Sequence, residues 1–199
     1  MRFSLGTARQ WHWISAAVSL VGMLLFAVTG ITLNHAAVIP ASISVTTIES
    51  EVPADVLTHL QDLPMAEMPA PQPVRQWLAS EHSISVPPDV AGEFDGMEFY
   101  LAWPGPGADR WLAINVDDAA LLYEGTERGW IAYFNDLHKG RNTGPVWFVF
   151  IDVIAIAMIV FTLTGLWLLV KQASHKQSTW PVTALGLLIP VVIALVFIH

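Results

Sequence analysis

Cysteine is absent from the 199 residues. That excludes a disulfide framework, thiolate metal sites, iron–sulfur clusters, thiol catalysis and covalent c-type haem attachment. Charge is scarce as well. Only 13% of residues are charged, against roughly 25% in an ordinary soluble domain. With 54% hydrophobic residues, neither a standard water-soluble fold nor a disordered chain fits. The net charge of −8 argues against a nucleic-acid partner. A strand–GxGxxG–helix fingerprint is missing, so no built-in flavin or nicotinamide site is expected.

The apolar residues fall into three blocks. Residues 13–33 carry no charge, residues 145–170 carry one, Asp152, and residues 181–198 carry none. At about 1.5 Å rise per residue each block can cross a hydrocarbon core of roughly 30 Å. Lipid offers no partners to a bare backbone, so each crossing must be helical. The first block is longer than the about 7–15 apolar residues of a signal peptide, and an uncleaved anchor is expected.

Charge sets the orientation. Residues 1–12 hold Arg2 and Arg9 without an acid, and the link 171–180 holds Lys171 and Lys176 without an acid. Residues 34–144 hold 16 acids and 5 bases. Basic segments stay in the cytoplasm, so the N-terminus is predicted inside, and residues 34–144 and the C-terminus outside. Lys139 and Arg141 depart from that rule and ask for a special role.

Within the outer region, residues 34–71 read as poorly structured. Pro40, Pro53, Pro64, Pro69 and Pro71 punctuate them, although Ile43, Val45 and Ile48 leave room for a strand. Pro73 opens a helical pattern with Val74, Trp77 and Leu78 that ends near His82. Strands follow at 98–103, 110–116 and 121–123. In the second, Trp111, Ala113 and Asn115 alternate with Leu112 and Ile114. The Pro104-Gly105-Pro106-Gly107 stretch joins two strands and reads as a hairpin turn rather than a phosphate loop. The fold class is therefore a membrane α-helical protein with three spans and a small α+β outer domain, one helix on an antiparallel meander.

Residues 128–139 show Trp130, Tyr133, Phe134 and Leu137 at i, i+3, i+4 and i+7, one apolar stripe with His138 as its next step. Gly140 is placed to end this helix, Asn142 or Thr143 to cap the next, and Pro145 to enter its first turn. Such aromatic amphipathic helices favour the membrane–water interface. The plainer reading is a helix that only packs the outer domain onto headgroups.

Seven histidines are present. His12 and His175 fall at the inner interface, His35, His138 and His199 at the outer one. His59 and His82 read as solvated surface residues. A boundary histidine is either a polar anchor or an iron ligand through a neutral imidazole nitrogen. Small residues such as Ala16, Gly22, Gly30 and Gly165 permit a flat slot between helices, and equally serve plain helix packing. Lys139 and Arg141 suit haem propionates or lipid phosphates. Asp152 inside a span is costly, and fits a proton carrier, a histidine N–H acceptor or a helix–helix hydrogen bond. There is also an internal echo. Phe26-Ala27-Val28-Thr29-Gly30-Ile31-Thr32-Leu33 matches Phe161-Thr162-Leu163-Thr164-Gly165-Leu166-Trp167-Leu168, with a Thr-Gly step in each.

His12-Trp13, Thr29-Gly30 with Asn34-His35, Leu137-His138-Lys139-Gly140-Arg141, Thr164-Gly165-Leu166, Thr179-Trp180-Pro181 and the closing Phe197-Ile198-His199 together resemble the PepSY-associated transmembrane proteins of bacterial inner membranes. Residues 73–125 resemble the PepSY module. Larger members are similar to haem-binding reductases of periplasmic ferric iron or ferric siderophores, with haem held by histidines at helix ends. The resemblance implies haem b, with His35 and His138 as outer, metal-ligating candidates and His12 as the inner one; His199, by its place at the outer interface, and Arg141, by its position beside His138, are further cofactor-binding candidates. The apolar blocks and the charge distribution give segments 1–12 cytoplasmic, 13–33 transmembrane, 34–144 periplasmic, 145–170 transmembrane, 171–180 cytoplasmic and 181–198 transmembrane. Three spans and one module are about half a larger member, which implies a homodimer in the lipid. Electrons would come from a quinol or a partner reductase. The competing expectation is a membrane-anchored PepSY binding or accessory module without redox activity.

Overall fold

A computed structural model describes residues 6–40, 42–173 and 178–198. Three helices are long and apolar enough to span a membrane: α1 (Ala8–Asn34), α5 (Gly144–Gln172) and α6 (Thr179–Phe197). The remaining elements are β1 (Ser44–Glu51), α2 (Ala54–Gln61), β2 (Glu67–Pro69), α3 (Gln72–His82), β3 (Ala91–Phe94), β4 (Glu98–Ala102), β5 (Ala108–Asn115), β6 (Ala120–Glu127) and α4 (Gly129–Lys139). The chain divides into two units, residues 1–25 with 149–199, and residues 26–148.

In the first unit α1 meets α5 through small and shape-matched side chains. A Cβ on Gly22 would stand 2.7 Å from Ile154 Cγ2, and Ile154 is buried. Ser15 and Ser19 are buried too, and each hydroxyl donates to a carbonyl of its own helix, Trp11 O and Ser15 O. Small residues at a helix–helix contact let dispersion act over many atoms where lipid gives no hydrophobic drive. No residue of α6 is buried.

The second unit is built on one six-stranded sheet in the order β1-β6-β5-β4-β3-β2, with antiparallel pairing throughout. Alternation puts one face inward. Phe99 and Leu101 of β4 lie opposite Ile114 and Leu112 of β5, and all four are buried. Val56 and Leu60 of α2 and Val74 and Leu78 of α3 cover that face and join the same core. Burial of this apolar surface is the main stabilising term.

Residues 34–71 differ from the expectation. They hold β1, α2 and β2, and the prolines mark boundaries rather than disorder. Pro53 and Pro71 are the N-caps of α2 and α3, and Pro69 closes β2. Proline lacks an N–H and has φ preset near −65°, so it costs little at a helix start or strand end. The third predicted strand is also longer than expected, because β6 pairs along its whole length with both β1 and β5. His82 is not simply solvated. Its ring stands edge-on to Trp77 at 5.0 Å, and Nε2 is buried without a hydrogen-bond partner among the described residues. His59 is exposed.

The turn from β3 to β4 is organised by Asp95, whose Oδ1 accepts from the N–H of Glu98 at 2.7 Å and of Met97 at 2.8 Å. These bonds, that of Glu98 foremost, hold its carboxyl below the ordinary aspartate range. They therefore act above the unfolded aspartate pKa and are lost as pH falls through the lowered one. Carboxyl-carbon NMR is expected to give Asp95 a midpoint below that of a free aspartate. A midpoint at or above the free value would remove this turn contact.

Candidate histidine sites

Each Thr-Gly step of the internal echo holds one histidine. On α5, Thr164 Oγ1 donates to Val160 O at 2.6 Å, as helical threonines do. With its proton so used, it offers lone pairs outward. His12 of α1 meets it there, with Nδ1 3.2 Å from Thr164 Oγ1 and 3.1 Å from Phe161 O. A carbonyl only accepts, so Nδ1 carries a proton, and in the neutral ring Nε2 is then the nitrogen with the free lone pair. The ring stacks on Phe161, with centroids 4.5 Å apart and planes at 14°. Gly165 makes the approach possible, since a Cβ there would lie 3.0 Å from His12 Cε1.

In the second unit the same parts recur on α1. His138 Nδ1 is 2.6 Å from Thr29 Oγ1, and Thr29 donates to Phe26 O at 3.4 Å. Phe26 stands edge-on to the His138 ring at 4.9 Å. A Cβ on Gly30 would lie 3.8 Å from His138 Cε1, ordinary van der Waals contact. Both cradles read Phe-x-x-Thr-Gly.

His138 reaches this place because α4 is fastened on a polar face, not on the expected apolar stripe. The buried residues of α4 are Asn135 and Asp136, while Trp130 is 76% exposed and Phe134 40%. Asp136 Oδ2 accepts from the N–H of Gly107 at 2.9 Å and from Arg128 Nη2 at 3.1 Å. Arg128 also pairs with Asp109 at 3.1 Å. Thr32 Oγ1 of α1 donates to Asn135 Oδ1 at 2.6 Å. The PGPG turn thus docks a helix. Gly107 has φ +66°, and a Cβ on it would sit 2.8 Å from the Tyr133 backbone. The stripe faces outward because three polar contacts hold the other side.

Gly140 ends α4 in the left-handed region, with its N–H on Asp136 O and Leu137 O. Trp147 Nε1 donates to Leu137 O at 2.9 Å, tying the start of α5 to the end of α4.

His35 is exposed and folds back on its own helix, with Nδ1 2.9 Å from Ile31 O. The structure does not bring it into contact with His138. Arg141 and Lys139 are exposed and form no ion pair among the described residues. His175 and His199 lie outside the described residues. Asp136, Arg128, Thr29 and Thr164 were not singled out by sequence reasoning as site residues. The echo was the available signal for the threonines, and nothing in one dimension linked it to a histidine.

A family model, described as PepSY_TM-like, matches residues 3–199. The chain belongs to the PepSY_TM-like family. Within this PepSY_TM-like protein both cradles and the sheet fall inside the matched region. No curated protein matches, and no solved structure matches.

Proposed function

We propose that this PepSY_TM-like protein is a haem-b electron-transfer protein of a bacterial inner membrane that reduces ferric iron or a ferric siderophore on the periplasmic side. The carrying observation is the state of its boundary histidines. His12 and His35 each donate Nδ1–H to a backbone carbonyl, which leaves Nε2 as the lone-pair donor. His138 would present Nε2 in the same way with Thr29 Oγ1, 2.6 Å from its Nδ1, as acceptor. Iron-ligating histidines are oriented in this way, with the second ring nitrogen donating to a protein oxygen.

The donor set fits haem. It is imidazole, in a chain with no cysteine, with glycines beside the rings of His12 and His138. His12, His35 and His138 are the residues that would hold the group, with Arg141 and Lys139 available to its carboxylates. Bound haem supplies one-electron Fe(III)/Fe(II) chemistry. The chain's part is to orient the imidazoles through Thr29 and Thr164 and to keep water from the inner one with apolar helix surface. One electron given to each ferric ion outside yields ferrous iron. A quinol or a partner reductase supplies the electron. The basic N-terminus and the 171–180 link lie in the cytoplasm, and residues 34–144 and the C-terminus in the periplasm. A homodimer would double the spans available to enclose the group.

Full-length protein purified in detergent after expression with haem precursor is expected to be red, with a Soret band that shifts on dithionite. His12→Ala and His138→Ala should each lower the haem-to-protein ratio. Thr164→Val should weaken binding about tenfold, as loss of an outer-shell hydrogen bond does. His82→Ala should leave the band unchanged. A colourless preparation sinks the redox reading and leaves the accessory module.

A further inference from the structure

Helices α2 and α3 cover one face of the sheet. The other face is open among the described residues. Strand pairing sets one row of side chains straight across it, one from each strand: Glu49, Leu122, Ala113, Tyr100, Glu93 and Glu67. With strands about 4.8 Å apart, the row runs roughly 24 Å. Glu51 and Glu98 end the next row on one side, and Glu124 lies beside Trp111 in the next row on the other. The face thus has an apolar, aromatic centre and acidic flanks. Tyr100 is 44% exposed and Leu122 36%, and the Tyr100 and Trp111 rings are 6.1 Å apart. Two concavities flank that centre. One of about 660 Å³ is lined by Glu67, Glu93 and Tyr100, and one of about 530 Å³ by Glu49, Glu51, Glu98 and Leu122.

The charge on this face is of one sign and unanswered. Its six glutamates form no ion pair among the described residues. The five bases of residues 34–144 are engaged elsewhere. Arg110 pairs with Glu127, and Arg128 with Asp109 and Asp136. Arg75 donates to Ala70 O beside the helix layer, and Lys139 and Arg141 stand at the end of α4. Glu67 and Glu93 lie directly opposite each other. A like-charge cross-strand pair weakens a sheet, and a cation seated between them turns the repulsion into attraction.

We infer that the open face of this sheet docks a basic polypeptide segment of another protein, rich in arginine and carrying an apolar residue for the centre. Charge complementarity and shape select this occupant. Nucleic acid and an anionic bilayer surface are repelled by the same acids. No three His, Cys, Asp or Glu side chains among the described residues group as metal ligands, and the acids are spread along the rows instead of converging on a point. An extended arginine-rich segment matches that spread. Its guanidinium groups meet the carboxylates at the flanks and stack on Tyr100 and Trp111 at the centre. The inference needs only the sheet, and neither the haem reading nor a second copy of this chain.

The full chain in neutral detergent is titrated at low salt with a synthetic peptide that alternates arginine and serine around a central leucine. Binding is expected, and weakens as salt is raised. Glu67→Gln with Glu93→Gln, and separately Glu49→Gln with Glu51→Gln, should each weaken it about fivefold, the scale of two exposed ion pairs. Tyr100→Ala should weaken it about threefold through the lost cation–π contact. Asp55→Asn, exposed on α2 in the layer over the opposite face, should leave it unchanged, and the same peptide with glutamate for arginine should not bind. The inference is overturned if the arginine peptide does not bind, if Asp55→Asn weakens binding as much as the face variants do, or if Tyr100→Ala has no effect, which reduces the binding to charge alone. None of these outcomes bears on the haem reading, which is judged from the Soret band.

Discussion

Asp136→Ala is expected to destabilise residues 26–148 by about 3 kcal/mol, the scale of breaking a buried charged pair from one side. Asp136 is 5% exposed and is the acceptor for both the Gly107 N–H and Arg128. Its removal strands a turn amide and an arginine that already has one unpartnered nitrogen, Nε. Asp109 stays to bind Arg128, which keeps the loss from being larger. Asp136→Asn should fall between, since the amide oxygen can still accept from Gly107 while the charge is gone. Thermal unfolding in detergent checks both. Because α4 carries His138 only two residues further on, the alanine variant should also lose its Thr29 contact, seen as a changed His138 imidazole NMR signal. An unchanged melting temperature would mean that α4 is held by something other than its polar face.

Gly165→Val is the second large effect. A Cβ at 3.0 Å from His12 Cε1 is already tight, and two further methyls would occupy the space of the ring. His12 would leave Phe161 and both of its Nδ1 acceptors. Overpacking of this kind costs about 1–3 kcal/mol. Gly30→Ala is the contrast, because a Cβ there would stand 3.8 Å from His138 Cε1, ordinary van der Waals contact, and it should be near neutral. Melting temperature and the His12 imidazole signal separate the two variants. Equal effects at Gly165 and Gly30 would show that the cradles are not asymmetric as described.

Much of the architecture is legible in the sequence. Apolar block length determines the three spans, because a bilayer of given thickness demands a helix of given length. The alternation in β5 sets Leu112 and Ile114 apart from Trp111, Ala113 and Asn115, because side chains on a strand alternate faces, and Leu112 and Ile114 are the buried set. Gly140 marks the end of α4 for the reason it does so here, freedom to take positive φ.

The tertiary structure decided the rest. Periodicity shows that α4 is amphipathic but not which face is fastened, and three polar contacts, to partners 8, 29 and 103 residues away, overrode the apolar stripe. Likewise the echo of Phe-x-x-Thr-Gly is visible in one dimension, but its meaning is a contact between His12 and a threonine 152 residues further on. Sequence by itself determined which segments are apolar, which are turns and which histidines sit at helix ends, since these depend on local chemistry. Only the fold decided which threonine each imidazole meets and that Asp152 faces outward, because pairing across the chain depends on how separate helices pack.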